Sequence, residues 1–177
     1  MNTTTNHNGA LSVFLVDDDN MFLKSLEHHL HQKLKPYVNI KAFVTGESFL
    51  KNLDMKPDIV VLDYYLNGQD QNAMNGMQVL EEIKLKNPET TVIMVSGQEK
   101  IQVAIDSIRN GAFDYVVKNE NVFLRAQKVI KNAIKTVKLS EELKFSKRYA
   151  WIMVTFIAVI LIAAFVITTF YRQQLIH

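Results

Sequence analysis

Cysteine is absent from this chain of 177 residues, which excludes disulfides, thiolate nucleophiles and cysteine-based zinc sites, and is compatible with a reducing compartment. An excess of charge of one sign is also lacking. The formal net charge is only +2, too small to argue for a nucleic-acid partner. Residues 1–10, rich in Asn and Thr, have neither the basic nor the apolar region of a secretory signal and read as a disordered leader. There is no internal repeat and no low-complexity linker, and the length allows one domain of ordinary size with an appendage.

The apolar residues are unevenly spread. Trp151 to Phe170 contains no charged residue, and at about 1.5 Å per residue it would give roughly 30 Å of helix, the thickness of bilayer hydrocarbon. A single transmembrane helix is expected over 149–171, with Tyr149, Trp151, Phe170 and Tyr171 at the two headgroup levels. Lys135, Lys138, Lys144, Lys147 and Arg148 precede it and only Arg172 follows. The positive-inside rule then puts the N-terminal domain on the cytoplasmic face of an inner or plasma membrane, in contact with lipid, and the short tail 172–177 on the opposite side. Residues 138–148 read as a charged helical stalk, in which Leu139 and Leu143 leave open a weak coil between two copies of the chain.

Ahead of the stalk, four continuous apolar runs, Leu11 to Val16, Asp58 to Leu62, Thr91 to Val95 and Phe113 to Val117, have the Val- and Ile-rich character of strands covered on both faces. Asn39 to Val44 is weaker and more alternating, as at a sheet edge. Between them lie segments with helical spacing, among them Phe22, Leu26 and Leu30; Val79, Leu80 and Ile83; and Val103, Ile105 and Ile108, the last ended by Gly111. A final helix begins near Glu120 and keeps its apolar face to Val137. Strand and helix alternate five times, which implies an α/β domain over 11–137 built on an open, doubly wound parallel sheet.

In such sheets ligands bind beyond the carboxyl ends of the strands. Those ends here are Asp17, Asp18 and Asp19 after the first strand, Asp63 after the third, Ser96 after the fourth and Lys118 after the fifth. Clustered carboxylates raise one another's pKa unless a cation sits among them, and Mg²⁺ suits one or two carboxylates plus a phosphate. An opposing lysine and a nearby hydroxyl would stabilise phosphoryl oxygens during in-line transfer to a carboxylate. Taken singly, Asp63 reads as a turn residue, Ser96 as part of a turn before Gly97, Lys118 as a solvated strand end, and Asp19 or Asn20 as the cap of the first helix. Their convergence is what points to chemistry. His28, His29 and His31 read as a solvated face of that helix.

The set Val16-Asp17-Asp18, Val61-Leu62-Asp63, Val95-Ser96-Gly97 and Gly111-Ala112-Phe113-Asp114-Tyr115-Val116-Val117-Lys118 resembles the response-regulator receiver family, over about Leu11 to Lys135. The resemblance implies a five-stranded flavodoxin-like receiver and a phosphoacceptor signalling protein, not an enzyme beyond its own phosphorylation and dephosphorylation. It implies Asp63 as the acceptor; Asp18, Asp63 and the Tyr65 main-chain carbonyl as Mg²⁺ ligands, with Asp17 acting through water; Ser96 and Tyr115 as the switch pair; and Lys118 as the phosphoryl-binding lysine. It also implies a histidine kinase or phosphotransfer protein as donor, and an unidentified output partner on the fourth helix, fifth strand and fifth helix. The chain departs from the family's pattern at Asn67, where a proline is usual, in the inserted loop Asn67 to Asn75, and at Asn119, where a cis-proline usually follows the lysine. A phosphorylation-independent, membrane-anchored scaffold with the same fold is the alternative.

Overall fold

The computed structural model describes residues 10–66, 68, 72–97 and 100–174, with the side chains of 144, 145, 147, 148, 161 and 163–174 outside that description. Five strands, β1 (Leu11–Val16), β2 (Val38–Phe43), β3 (Ile59–Asp63), β4 (Thr91–Ser96) and β5 (Asp114–Val117), alternate with α1 (Asn20–Leu34), α2 (Gly46–Leu50), α3 (Gly76–Lys86), α4 (Ile101–Arg109) and α5 (Val122–Gln174). A short 3₁₀ turn, Leu53–Met55, precedes β3. All strand pairs are parallel, in the order β2-β1-β3-β4-β5, so the weakly patterned β2 does lie at an edge. The order reverses between β1 and β3, and the crevice at a doubly wound sheet's switch point opens where their C-terminal ends meet.

Side chains alternate across a strand, and the central strands use that to supply two cores. Val13 and Leu15 of β1 join Ile59, Val61, Ile93 and Val95 beneath Leu23, Leu26 and Leu30 of α1 and Ala126, Ile130 and Ala133 of α5. Phe14 and Val16 join Val60, Leu62, Val92 and Met94 against Phe49 of α2 and Val79, Leu80 and Ile83 of α3. Every residue of β3 is buried, which explains its unbroken apolar sequence up to Asp63.

Capping fixes the helices at the site end. Asp19 is the N-cap of α1, its Oδ1 accepting from the backbone N–H of Met21 at 2.9 Å and of Phe22 at 3.1 Å. Asn75 and Gln78 form a reciprocal capping box on α3, at 3.0 and 2.9 Å. At the end of α4, Gly111 has φ +94°, with Gly111 N–H bonded to the Ile108 carbonyl and Ala112 N–H to that of Ser107. That paired closure needs a left-handed residue, the role the sequence suggests for Gly111.

The structure departs from the sequence reading in α4. Val103, Ile105 and Ile108 are spaced as a core face, yet Ile105 and Ile108 are exposed, as is Ile101, and the fully buried residue of the helix is Ser107, whose hydroxyl is satisfied by the Val103 carbonyl. The more apolar stripe of the helix points to solvent. His29 also differs: it is half-buried, stacked on Phe123 at 5.9 Å and hydrogen-bonded to Gln127 at 2.9 Å.

The chain divides into two compact units, residues 1–137 and 138–177. In the second, the side chains of Trp151, Ile152, Met153, Val154, Phe156 and Ile157 are exposed on the helix. Among the described residues no helix is long and apolar enough to cross a membrane. The transmembrane expectation over 149–171 therefore gains no support here; the exposed apolar run with described side chains stops short of the roughly 20 residues a span needs, and the rest of the expected span lies outside them. The leader expected over 1–10, apart from Ala10, and residues 67 and 69–71 of the inserted loop likewise lie outside the described residues.

Candidate functional site

The site is assembled by strand ends. The parallel register pairs Val16 of β1 with Leu62 of β3, so the residues that follow, Asp17 and Asp63, emerge side by side, and both are buried. Asp17 is held on both sides: its N–H donates to the Phe43 carbonyl at 3.1 Å and its Oδ1 accepts from the Asp19 N–H at 3.0 Å. Asp18 sits between them in sequence and is half-exposed. One oxygen from each of Asp17, Asp18 and Asp63 lies within 4.8 Å of the others.

Lys118 reaches this cluster from β5. Its N–H donates to the Ser96 carbonyl at 2.7 Å, fixing the end of β5 against the end of β4. Its Nζ lies 2.7 Å from Asp17 Oδ2 and 3.1 Å from Asp63 Oδ1. The cis bond among the described residues is Lys35–Pro36, so the Lys118–Asn119 bond is trans, and the lysine reaches the carboxylates without the family's cis-proline.

Burial pushes the Asp63 carboxyl up to about 6, and the neighbouring Asp17 charge adds to the rise against the attraction of Lys118. Burial also raises Asp17, although Lys118 and the Asp19 N–H oppose it. On its own, burial would lower the Lys118 ammonium; the charges of Asp63 and Asp17 outweigh it and hold the group above its usual range. Although Lys118 Nζ is close enough to Asp63 Oδ1 for an ion pair, this buried oxygen has no partner in hydrogen-bond geometry. Three carboxylates thus face one ammonium, with an acceptor oxygen unsatisfied, a donor set that fits a hard divalent cation.

The remaining expected residues occupy the rim. Ser96 is fully buried at the end of β4, one position beyond the Asp63 to Val95 pairing. Burial pushes the Tyr115 hydroxyl up, opposed by its hydrogen bond with Ser96, so the two side chains are directly coupled. Tyr65 lies just beyond β3, its ring edge-on to Tyr64 at 4.7 Å. Gly76, at the start of α3, packs so tightly under the end of β3 that a Cβ there would fall 2.0 Å from the Asp63 carbonyl oxygen.

Three contacts are not legible in the sequence. Phe22 lies with its ring under Lys118, Nζ being 4.6 Å from the centroid, although its spacing reads simply as core. Gly68 approaches Asp18 so closely that a Cβ would lie 2.9 Å from Oδ2. Glu47 Oε1 accepts from the Met74 N–H at 2.8 Å and ties the far end of the inserted loop to α2. None has a motif to announce it.

A family model described as response regulator receiver domain matches residues 13–129. The chain is 31% identical over 93 residues to the nitrogen assimilation regulatory protein NtrX of Azorhizobium caulinodans, covering 52% of this chain and 20% of that protein. It is 32% identical over 104 residues to the chemotaxis protein CheY of Listeria monocytogenes, covering 59% of this chain and 83% of CheY. Among solved structures, the BeF₃-activated DrrB receiver domain superposes with a TM-score of 0.56 at 30% identity, covering 69% of this chain and 98% of that one. This chain thus corresponds to about a fifth of the length of its NtrX relative and to most of CheY.

Proposed function

Because the chain belongs to the response regulator receiver domain family, we propose that it accepts a phosphoryl group on Asp63 from a histidine kinase or phosphotransfer protein and signals to a partner protein from the cytoplasmic face of a membrane. The observation that carries this reading is the buried acid cluster with Lys118 across it: Asp17, Asp18 and Asp63 within 4.8 Å, and Nζ 3.1 Å from Asp63.

In the transfer, a carboxylate oxygen of Asp63 forms a bond to phosphorus as the bond to the donor imidazole nitrogen breaks, and the imidazole keeps the electron pair and later takes a proton from water. Asp18, Asp63 and the Tyr65 carbonyl, with Asp17 through water, would hold Mg²⁺, which when bound offsets the negative charge of the carboxylates and phosphoryl oxygens. Lys118 contributes a fixed positive charge to a phosphoryl oxygen, needing no reorganisation because the carboxylates already hold it. Ser96 turns from Tyr115 toward the new oxygens, and the two-state equilibrium of the domain shifts by the difference in its interactions with them.

The exposed stripe Ile101, Ile105 and Ile108 of α4, with Phe113 before β5, supports an output surface there for a partner protein. The grounds for a membrane tether lie in the sequence, in the uncharged stretch Trp151 to Phe170 and the basic residues that precede it.

Beryllofluoride, a phosphoryl mimic, tests the site without a kinase. With Mg²⁺ present at saturating concentration it is expected to raise the melting temperature of the full chain by about 5–10 °C, to have no effect in EDTA, and to lose most of its effect in Asp18→Asn. An equal rise with and without Mg²⁺ would count against the reading.

A further inference from the structure

We propose that Phe22 is a positioning residue for Lys118: the face of its ring holds the ammonium over the Asp17 and Asp63 carboxylates, where a phosphoryl oxygen will arrive. This rests on the reading of Asp63 as phosphoacceptor and assigns a role to a residue that the acid pocket alone does not include.

The ammonium has three neighbours of two kinds. Asp17 Oδ2 and Asp63 Oδ1 attract it at 2.7 and 3.1 Å, and the Phe22 ring lies beneath it with its centroid 4.6 Å away, inside the roughly 6 Å over which a ring face attracts a cation. Of these, the Asp63 carboxylate is altered when phosphorus bonds to it. The ring is not, so it anchors the ammonium on both sides of the reaction.

The ring is itself oriented by the scaffold. Phe22 stacks on Phe123 at 5.6 Å and an interplanar angle of 24°, and Phe123 stacks in turn on His29, which is hydrogen-bonded to Gln127. Asp19, the N-cap of α1, accepts from the Phe22 N–H, so the backbone that carries the ring is fixed as well. Ordinary packing against the α1 and α5 core accounts for an apolar residue at position 22, and leucine would serve it. It does not account for an aromatic face under the ammonium.

The test compares the full chain with Phe22→Leu and Phe22→Tyr by three readouts: the rate of phosphoryl uptake from a small phosphodonor with Mg²⁺, followed by intact mass; the Mg²⁺ dissociation constant; and the NMR shift of the Lys118 ε-methylene protons, which a ring face moves upfield. Phe22→Leu is expected to slow uptake about three- to tenfold, to leave Mg²⁺ affinity within about twofold, and to lose the upfield shift; Phe22→Tyr is expected to restore rate and shift together. Uptake at the wild-type rate in Phe22→Leu, failure of Phe22→Tyr to restore it, or ε-methylene protons at their ordinary position in the wild type would overturn the proposal. The last of these needs no variant to fold. A wild type that takes up no phosphoryl group at all overturns the phosphoacceptor reading, and with it any part for Phe22 in that chemistry, whereas the NMR shift still reports whether ring and ammonium touch.

Discussion

Gly76→Ala is expected to destabilise the domain by about 3–5 kcal/mol, because its added methyl would meet backbone at the shortest distance found at any of the described glycines. A Cβ at position 76 would lie 2.0 Å from the Asp63 carbonyl oxygen, 2.7 Å from Tyr64 Cα and 2.9 Å from the Asp63 carbonyl carbon. All three are backbone atoms of the chain leaving β3, so no rotamer change relieves the overlap. Relief requires α3 to move from the sheet, which breaks the 2.9 Å bond from Gly76 N–H to the Tyr64 carbonyl and opens the contacts of Val79, Leu80 and Ile83. Gly46→Ala provides the contrast: its Cβ would meet Val79 Cγ2 at 2.5 Å, a side-chain atom able to yield in part, and a smaller loss is expected. Urea denaturation of both variants measures the difference. A Gly76→Ala protein as stable as wild type would mean that the close approach of α3 to the end of β3 is not as described.

Asp63→Asn is expected to have the opposite sign. The metal-free variant should be more stable than wild type at pH 7.5, by about 2 kcal/mol. Burial and the Asp17 charge raise the folded-state carboxyl to about 6 from an ordinary value of 3.8, so the folded protein binds the proton more tightly than the unfolded chain. Wild-type stability from this group is therefore complete below about pH 4, falls as pH rises through 6, and is lowest above it. The amide carries no charge to bury, and the gain should vanish as the pH approaches 4. Added Mg²⁺ should narrow the gap at pH 7.5, because it relieves wild type more than the variant. Denaturation midpoints in EDTA at pH 7.5 and pH 4.5 provide the comparison; a variant destabilised equally at both would show that the buried carboxylate is not strained by its surroundings.

Legibility in the sequence followed burial. β1, β3 and β4 are covered on both faces, and the continuous apolar runs that coverage demands placed their C-terminal ends, and hence Asp17, Asp63 and Ser96, to within a residue. β2 could be assigned to an edge because its apolar residues are few and interrupted, Val38 buried and Ile40 half-buried with exposed Asn39 and Lys41 beside them, as an incompletely covered edge strand permits. Periodicity failed at α4, since Val103, Ile105 and Ile108 are spaced as a core face would be, yet Ile105 and Ile108 are exposed; a repeat says which residues share a side without saying which side meets the sheet. Ser107, buried there because its hydroxyl bonds back to Val103, had no apolar signal to give. The contacts of Phe22 with Lys118 and of His29 with Phe123 join residues far apart in the chain through side chains at ordinary spacing. Only the packed structure brings them together.

The central claim is that Asp63 accepts a phosphoryl group in a pocket whose carboxylates need a divalent cation. Its most direct test is intact-mass analysis of the full chain after incubation with Mg²⁺ and a small phosphodonor, beside Asp63→Asn and beside wild type in EDTA. The predicted result is one acid-stable, base-labile phosphoryl group on wild type with Mg²⁺ and none in either control. No added mass on wild type, or the same mass on Asp63→Asn, would contradict the account and leave the phosphorylation-independent scaffold as the reading to pursue.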